Sequence, residues 1–290
     1  MLVDLAGHTE HNRLPVFARR PAPVQATWLG YFATTGLREI DWKIGDPWVT
    51  PTEEEAHFTE RIWRMPVCCY CFAPPVDAPP VAELPSRANG YVTYGCLNNL
   101  AKLNDGVVET WARVLRADPD ARLLLKSRPL RSEEVVDRVR RRFAHHGVGA
   151  ERLLLESADH YPRHLEAYAR VDVALDPFPY TGGATTTESL WMGVPVLTLR
   201  GDRYIGHQGE TLLRAAALPD WIATDQDDYV RKALQLAADR EGLARLRAGL
   251  RARTASSPLF DARRFARDLE AAWRGMWAAW CDDPRIRTRP

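Results

Sequence analysis

A glycine- and threonine-rich stretch, DPFPYTGGATTTESLWMGVPVLTL, lies between an apolar run and a pattern typical of a helix. Its glycines, Gly182 and Gly183, allow the backbone to turn sharply and to approach a ligand closely. Ala184, Thr185 and Thr186 follow as the predicted first helical residues. The first N–H groups of a helix have no partner within it and lie at the positive end of the helix dipole, so they attract phosphate. The stretch therefore predicts a phosphate-binding turn.

An acidic residue, Glu188, lies further along the same predicted helix. Its carboxylate can accept two hydrogen bonds from a ribose diol. The stretch is not a Walker loop, since no Gly-Lys-Ser/Thr follows, and it lacks the G-x-G-x-x-G pattern. A simpler interpretation, a capped helix start after a tight turn, also explains the glycines and threonines. The spacing by itself leaves both interpretations open.

A lysine and an asparagine occupy a second loop, within CLNNLAKL. Lys102 can neutralise a diphosphate, and Asn99 can donate a hydrogen bond to a phosphate or sugar oxygen. The loop follows a predicted strand, so its side chains are expected at the same sheet edge as the glycine turn. The alternative for Lys102 is an ordinary solvated loop lysine.

A third loop, ESADHYPRHLEAY, also follows a predicted strand. Backbone groups near Asp159 can contact the edge of a nucleotide base, and the ring of His164 can stack on it. The alternative for His164 is a packed or solvated histidine on a helix face.

Predicted strands and helices alternate along the chain, as in α/β proteins. In the longer second part, the apolar runs GYVTYGCL, ARLLLKS, ERLLLES, VDVALD and VPVLTLR predict strands, and amphipathic stretches such as GVVETWARVLRADP predict helices between them. This order predicts an α/β fold with a Rossmann-like, doubly wound parallel sheet. Ligands of such sheets bind beyond the carboxyl ends of the strands, where all three loops are expected.

The first part of the chain is less regular. Strands are predicted at MLVDLAGHT, over Val24–Trp28 and at IDWKIGD. The segment TPTEEEAHFTERIWRMP predicts a helix, because capping and acidic residues precede Ala56, Glu60 and Trp63 at helical spacing.

A proline-rich stretch separates the two parts. Residues 73–90 hold five of the 21 prolines, which indicates a linker or a surface crossover. We place a domain boundary near Pro85, which gives a partial N-terminal lobe over residues 1–84 and a C-terminal lobe over residues 85–290.

Composition narrows the class of protein. The chain has 290 residues, 46% of them hydrophobic, and a net charge of +1, so no charge bias points to nucleic acid or to a membrane. Five cysteines without a secretory signal favour reduced thiols and a cytoplasmic location. Cys68 and Cys71 have C-x-x-C spacing, but no second pair completes a zinc site, and we expect thiols packed in a strand-like segment. No apolar run is long enough to span a bilayer.

Several segments together resemble one family. YGCLNNLAKLNDGVVETWARVLRADPDARLLLKS, VDVALDPFPYTGGATTTESLWMGVPVLTL and SSPLFDARRFARDLEAAWRGMW are similar to the carboxyl half of O-linked N-acetylglucosamine transferases, glycosyltransferase family 41, which include the plant Spindly type and many bacterial proteins. LVDLAGHTEHNRLPVFARRPAPVQATWLGY resembles the end of the amino-terminal catalytic lobe. The resemblance covers nearly the whole chain.

The resemblance implies a GT-B architecture, in which two Rossmann-like lobes hold a nucleotide sugar mainly through the second lobe. It implies UDP-N-acetylglucosamine (UDP-GlcNAc) as donor, a Ser or Thr hydroxyl of a protein as acceptor, and inversion at the anomeric carbon without a metal or other cofactor. Lysine and backbone N–H groups must then stabilise the leaving diphosphate. The implied partners are a nucleotide sugar and a protein acceptor.

By position, the resemblance implies that Lys102 binds the diphosphate, which makes it the predicted catalytic residue. It also assigns residues to the ribose, the uracil and the sugar. The implied donor-binding residues are Leu29, Gly30, Asn99, Asp159, His164, Gly182, Gly183, Ala184, Thr185, Thr186 and Glu188.

Some positions differ from the family pattern. Gly183 stands where animal members have His, Tyr161 where they have Lys, and Phe32 and Ala33 replace a Pro-Gly pair. Spindly-type members use a fucosyl donor, so the donor sugar stays open. The front of the first lobe, which carries a proposed catalytic His in the family, has no counterpart in this sequence. The alternative function is therefore a truncated, non-catalytic module for nucleotide-sugar binding or protein interaction.

Overall fold

The structure, a computed structural model, describes residues 1–158, 160–161 and 163–282. The strands within these ranges are β1 (Leu2–Asp4), β2 (Gln25–Thr27), β3 (Trp42–Gly45), β4 (Arg61–Arg64), β5 (Thr93–Cys96), β6 (Arg122–Lys126), β7 (Leu153–Glu156), β8 (Val173–Leu175), β9 (Val196–Leu199) and β10 (Ile222–Ala223). The helices are α1 (Leu14–Phe17), α2 (Pro85–Asn89), α3 (Asp105–Ala117), α4 (Glu133–His145), α5 (Arg163–Glu166), α6 (Ala184–Trp191), α7 (Tyr204–Ala215), α8 (Gln226–Ala238), α9 (Arg240–Ala255) and α10 (Ala262–Asp282).

The described strands form two parallel sheets, a smaller one in the order β1-β2-β3-β4 and a larger one in the order β10-β9-β8-β5-β6-β7. In the larger sheet the chain order reverses between β5 and β8, where Tyr94 pairs with Val173 and Gly95 with Ala174. This is a doubly wound arrangement, so the predicted fold class is confirmed. The crevice for a ligand lies beyond the carboxyl ends of β5 and β8.

Local sequence explains why the larger sheet forms. The run of three leucines in β6 is buried, as expected for a parallel strand covered by helices on both faces. Helix α3 begins after Asn104, whose Oδ1 accepts a hydrogen bond from the amide of Val107 at 3.0 Å. The apolar face of α3 then places Trp111 and Val114 in the core on one side of the sheet. A second core covers the other side.

The last helix returns to the smaller sheet. Leu269, Ala272 and Met276 of α10 pack in one core with Ala26 of β2 and Ile44 of β3. The predicted division at residue 84 assigns α10 to the second lobe, and this division stays a prediction. None of the helices in the described ranges is long and apolar enough to cross a membrane.

One predicted helix is wrong. The segment TPTEEEAHFTERIWRMP forms a 3₁₀ helix over Thr52–His57 and then strand β4. Strand β4 pairs in parallel with β3, with Ile62 opposite Lys43 and Trp63 opposite Ile44. Because the strand completes the edge of the smaller sheet, this long-range pairing overrides the helical spacing of the apolar residues.

The cysteine-rich segment was predicted correctly in one respect only. Cys68 and Cys69 are buried, and all five cysteines are free thiols. The segment is a loop and not the strand-like element that we predicted, because the amide of Cys69 donates to a carboxylate of Asp46, at 2.9 Å, and not to a neighbouring strand.

Candidate donor-binding site

Lys102 lies beside the glycine turn, at the crevice of the larger sheet. Its Nζ donates hydrogen bonds to the carbonyl oxygen of Thr181, at 2.9 Å, and to Oδ1 of Asn98, at 3.0 Å. Nζ also lies 4.0 Å from the centre of the Tyr180 ring, a cation–π contact. Burial lowers the pKa of Lys102, while the carboxylate of Asp176 acts in the opposite direction. The structure therefore brings together two loops that the sequence placed at one sheet edge.

Asp176, at the end of β8, shapes the turn from below. Its Oδ1 accepts a hydrogen bond from the amide of Gly182 at 2.7 Å, and its Oδ2 accepts one from the Thr198 hydroxyl at 2.8 Å. A Cβ atom on Gly182 would lie 2.5 Å from Oγ1 of Thr186 and 2.8 Å from Asp176, so only glycine fits. Burial raises the pKa of Asp176 to about 6, although the Lys102 ammonium opposes the shift.

Helix α6 begins as predicted, directly after Gly183. Among the residues that the structure describes, no side chain caps this end of the helix, and the Gly183 carbonyl accepts hydrogen bonds from the amides of Thr186 and Thr187. The amides of Ala184 and Thr185 thus have no partner within the described part of the chain, and such amides at a helix N-terminus bind anions. Oγ1 of Thr185 donates to Oδ1 of Asn98 at 3.0 Å, the same atom that Lys102 contacts. Thr186 is buried beneath the turn.

The adjacent residues Asn98 and Asn99 make different contacts, and donor binding by Asn99 stays a prediction. Asn99 is exposed, and its side chain accepts a hydrogen bond from the amide of Ala101 at 3.0 Å, which caps a short 3₁₀ helix. Asn98, which the sequence reasoning did not select, joins Lys102 to Thr185. The sequence CLNNL shows two adjacent asparagines but does not show which of them faces Lys102, because that depends on the backbone direction after β5.

Glu188 is half-buried on α6. Burial raises the pKa of its carboxyl group to about 7. Burial also raises the pKa of the Tyr161 phenol, and the charge of Glu188 raises it further. The carboxylate makes no hydrogen bond or ion pair with any residue that the structure describes. Tyr161, in the third predicted loop, therefore lies near the first turns of α6.

The residues predicted to contact the nucleotide base are described only in part. His164 is half-buried in α5, and its amide donates to the carbonyl of His160 at 3.2 Å. Asp159 lies outside the described residues.

A central cleft of about 220 Å³ joins the two parts of the chain, and its walls include Leu29, Phe32, Cys71, Gly183, Ala184 and Gln208. Leu29 is exposed and has a left-handed backbone, with φ of 73°. Gly30 packs so tightly against the Leu5 carbonyl that a Cβ atom would lie 1.9 Å from its oxygen. The loop predicted to contact the sugar therefore faces the predicted phosphate turn.

The sequence analysis did not predict a role in this cleft for Phe32 or Gln208, or for Tyr180 beside it. The ring of Phe32 packs edge-on against that of Tyr180, with 5.8 Å between centroids, and Gln208 reaches the cleft from α7. They come from three separate segments, and no spacing pattern connects them. Among the described residues, no group of three or more His, Cys, Asp or Glu side chains could hold a metal ion.

Two parallel sheets with a cleft between their loops, and a lysine beside a helix N-terminus, define a protein of the GT-B type. The chain belongs to glycosyl transferase family 41, whose family model matches residues 1–72 and 81–269.

Several known proteins are similar over almost the whole chain. Two relatives named probable UDP-N-acetylglucosamine–peptide N-acetylglucosaminyltransferase SPINDLY are 40% identical over 287 residues, in Solanum lycopersicum, and 41% identical over 289 residues, in Arabidopsis thaliana. The match covers 97% of this chain in both cases, but only 30% and 31% of those proteins.

Solved structures agree with this assignment. A mutant of the O-GlcNAc transferase of Thermobaculum terrenum superposes with a TM-score of 0.92 at 40% identity, covering 97% of this chain and 53% of that one. Anabaena HepE in complex with UDP superposes with a TM-score of 0.59 at 11% identity over 91% of this chain and 77% of that one, a likeness of fold alone.

Proposed function

We propose that the chain binds the diphosphate of UDP-GlcNAc in the central cleft and transfers the sugar to a Ser or Thr hydroxyl of a protein. The observation that carries the proposal is the convergence of the Lys102 ammonium with the first turn of α6, both of which contact Oδ1 of Asn98. Membership of family 41 and the names of the relatives support the donor and the acceptor.

The proposed reaction breaks the bond between the anomeric carbon and the diphosphate oxygen. The acceptor oxygen attacks from the opposite face, which inverts the configuration, and the hydroxyl proton leaves to a base. Negative charge then develops on the diphosphate. Lys102 and the amides of Ala184 and Thr185 supply the stabilising charge and hydrogen bonds, so that we propose a reaction without a metal ion.

The leaving group is expected to stay within reach of the same residues before and after bond cleavage. Glu188 would accept hydrogen bonds from the ribose diol, and Leu29 and Gly30 would contact the sugar through their backbone. This division places the nucleotide on the larger sheet and the sugar at the cleft that both sheets share.

Transfer of label from UDP-GlcNAc to an acceptor peptide tests the activity, with a fucosyl donor and a chelator as parallel arms. We expect transfer from UDP-GlcNAc that the chelator leaves unchanged, and the anomer of the product reports inversion. A protein that binds UDP but transfers neither sugar would support a binding module instead.

Calorimetry with UDP tests the site itself. We expect Lys102→Ala to weaken UDP binding by about 1.5–3 kcal/mol, the value of a hydrogen bond to a charged group, or about 10- to 150-fold. Lys232→Ala is the matched control, because that ammonium donates to the carbonyls of Asp220 and Ile222, beside the edge strand β10 of the larger sheet. Equal affinities of the two variants would contradict the phosphate role of Lys102.

A further inference from the structure

Helix α7 contacts the smaller sheet through one of its faces. The hydroxyl of Thr211 donates to Oδ2 of Asp46 at 2.7 Å, and the guanidinium of Arg214 lies 3.9 Å from the centre of the Trp48 ring. His207 lies one turn before Thr211, on the same face. The helix itself belongs to the larger sheet, where it packs against β9. It therefore links the two halves of the molecule.

His207 lies between two carboxylates and is only 1% exposed. Its Nε2 is 2.9 Å from Oε1 of Glu54, in the 3₁₀ helix that precedes β4, and its Nδ1 is 3.3 Å from Oε2 of Glu210 on α7. A neutral imidazole has one N–H group and one lone pair, so it can donate to only one of these acceptors. Only the imidazolium donates to both, and the geometry therefore favours the charged ring.

The charges around the ring explain why it holds its proton. Glu210 also pairs with Arg214, at 2.9 Å, and with Arg200, at 3.2 Å, while Asp202 and Arg203 lie nearby on the loop before α7. Burial acts to lower the pKa of His207, but the hydrogen bonds to Glu210 and Glu54 outweigh it and raise the pKa above its usual value. Since Glu210 has two arginine partners, Glu54 is the carboxylate for which His207 matters most.

The next residue along α7 reaches the donor site. Gln208 is buried at the wall of the central cleft, and its Oε1 lies 3.6 Å from the position that a Cβ atom on Gly183 would occupy. One turn of α7 therefore places His207 against Glu54, in the 3₁₀ helix before β4, and Gln208 against the Gly183 turn. A shift of α7 relative to Glu54 would move Gln208 relative to the cleft.

We propose that His207, as an imidazolium bound to Glu54, is a positioning residue that fixes α7 and holds Gln208 against the Gly183 turn for binding of the nucleotide sugar. The inference rests on the proposed function and adds a control to the same site. Because the folded pKa is raised, the ring is charged and makes both hydrogen bonds below the ordinary pKa of histidine, about 6.5, and it loses its charge and one of the two hydrogen bonds as the pH rises through the folded value.

An NMR titration of the His207 ring, paired with calorimetry of UDP binding across the same pH range, tests the proposal on the whole chain. In the wild type, UDP binding should weaken at least about fivefold, the low end of typical couplings between sites, as the ring loses its proton. In Glu54→Gln, both the ring titration and this alkaline loss of affinity should move together to lower pH. His207→Gln should bind UDP more weakly and show no alkaline loss.

Glu53→Gln is the matched control, because Glu53 lies in the same 3₁₀ helix and is exposed. Its curves should coincide with those of the wild type. UDP curves that coincide in the wild type and in Glu54→Gln, or a His207 ring that is neutral throughout, would overturn the proposal.

Failure of the proposed function gives a different result. A folded chain that binds no UDP at any pH would contradict donor binding, and hydrogen exchange of residues 204–215 then decides the positioning role. Faster exchange of α7 as the ring is deprotonated would support it, and exchange that does not follow the ring titration would overturn it.

Discussion

Two lysines, one in each sheet region, make similar local contacts. The ammonium of Lys43, in β3, donates to the Tyr31 carbonyl at 3.1 Å and lies 4.7 Å from the centre of the Tyr204 ring. The ammonium of Lys102 likewise donates to a loop carbonyl and lies 4.0 Å from the Tyr180 ring. Both ammonium groups thus have a carbonyl and an aromatic ring as partners, so the type of contact does not distinguish a structural lysine from a binding one.

Access separates the two lysines. Lys43 is 1% exposed, and burial lowers its pKa to about 8 against the opposing charge of Glu60. Lys102 is only half-buried and lies beside the unpaired amides at the start of α6. The difference in exposure is the structural basis on which we propose Lys102, and not Lys43, as the lysine that binds an anion.

The largest effect that separates the two lysines is on stability. We expect Lys43→Ala to lower the free energy of unfolding by about 2–5 kcal/mol, as truncation of a large buried side chain does. Lys102→Ala should lower it by much less, because its side chain is half-exposed. Chemical denaturation of both variants measures the difference, and equal losses would remove the distinction.

The next effect is a pH dependence of UDP affinity that we assign to Glu188, in the region of the larger sheet. Burial raises the pKa of Glu188 to about 7, so its carboxyl group is protonated below that pH, and only above it can both oxygens accept hydrogen bonds from the two hydroxyls of a ribose. UDP affinity should therefore fall as the pH falls through 7. Above that pH, Glu188→Gln should bind UDP more weakly by about 1.5–3 kcal/mol.

Calorimetry on both sides of pH 7 measures this acid limb, which runs opposite to the alkaline limb assigned to His207. Glu166→Gln, at an exposed glutamate on α5, should behave as the wild type. An acid limb that persists unchanged in Glu188→Gln would assign it to another group.

A smaller effect tests whether the turn beside Lys102 is tightly packed on the side of Asp176 and Thr186 and open on the side of the cleft. Gly182→Ala should destabilise the protein by about 1–3 kcal/mol, because the new methyl group overlaps Thr186 and Asp176. Gly183→Ala should change stability little, since the new methyl group would lie 3.6 Å from Oε1 of Gln208, an ordinary van der Waals distance. Thermal unfolding of the pair measures this, and equal destabilisation would show that the upper side of the turn is closed as well.

The smallest effect concerns the aromatic partner of the accessible lysine. Tyr180→Leu should weaken UDP binding by about 0.5–1 kcal/mol, the size of an exposed cation–π contact, because the ammonium is held less firmly. Tyr180→Phe keeps the ring and should bind UDP as the wild type does. If the two substitutions weaken binding equally, the hydroxyl group and not the ring is responsible.

The sequence predicted those parts of the site that follow from sheet topology. In a doubly wound sheet, loops after β5 and β8 must meet at the switch point, so the proximity of Lys102 to the Gly183 turn could be expected. The start of α6 was also predictable, because glycines followed by helix-forming spacing mark a helix boundary. These features depend on local patterns and on one general rule of chain order.

The sequence could not predict contacts that tertiary structure alone brings about. The contacts of Asn98 with Lys102 and Thr185 depend on the backbone direction after β5, and Gln208 reaches the cleft because α7 packs against β9 and contacts the smaller sheet. The helix predicted around Trp63 became a strand, since pairing with β3 outweighed the local spacing. The proline-rich stretch suggested a domain boundary, but nothing in its sequence indicates that α10 packs back against the smaller sheet.

A crystal structure of the chain with UDP tests the central claim most directly. The account predicts a phosphate oxygen within hydrogen-bond distance of Nζ of Lys102 and of the amides of Ala184 and Thr185. A nucleotide bound elsewhere, with the Lys102 ammonium still on the Thr181 carbonyl and the first turn of α6 in contact with solvent, would contradict it.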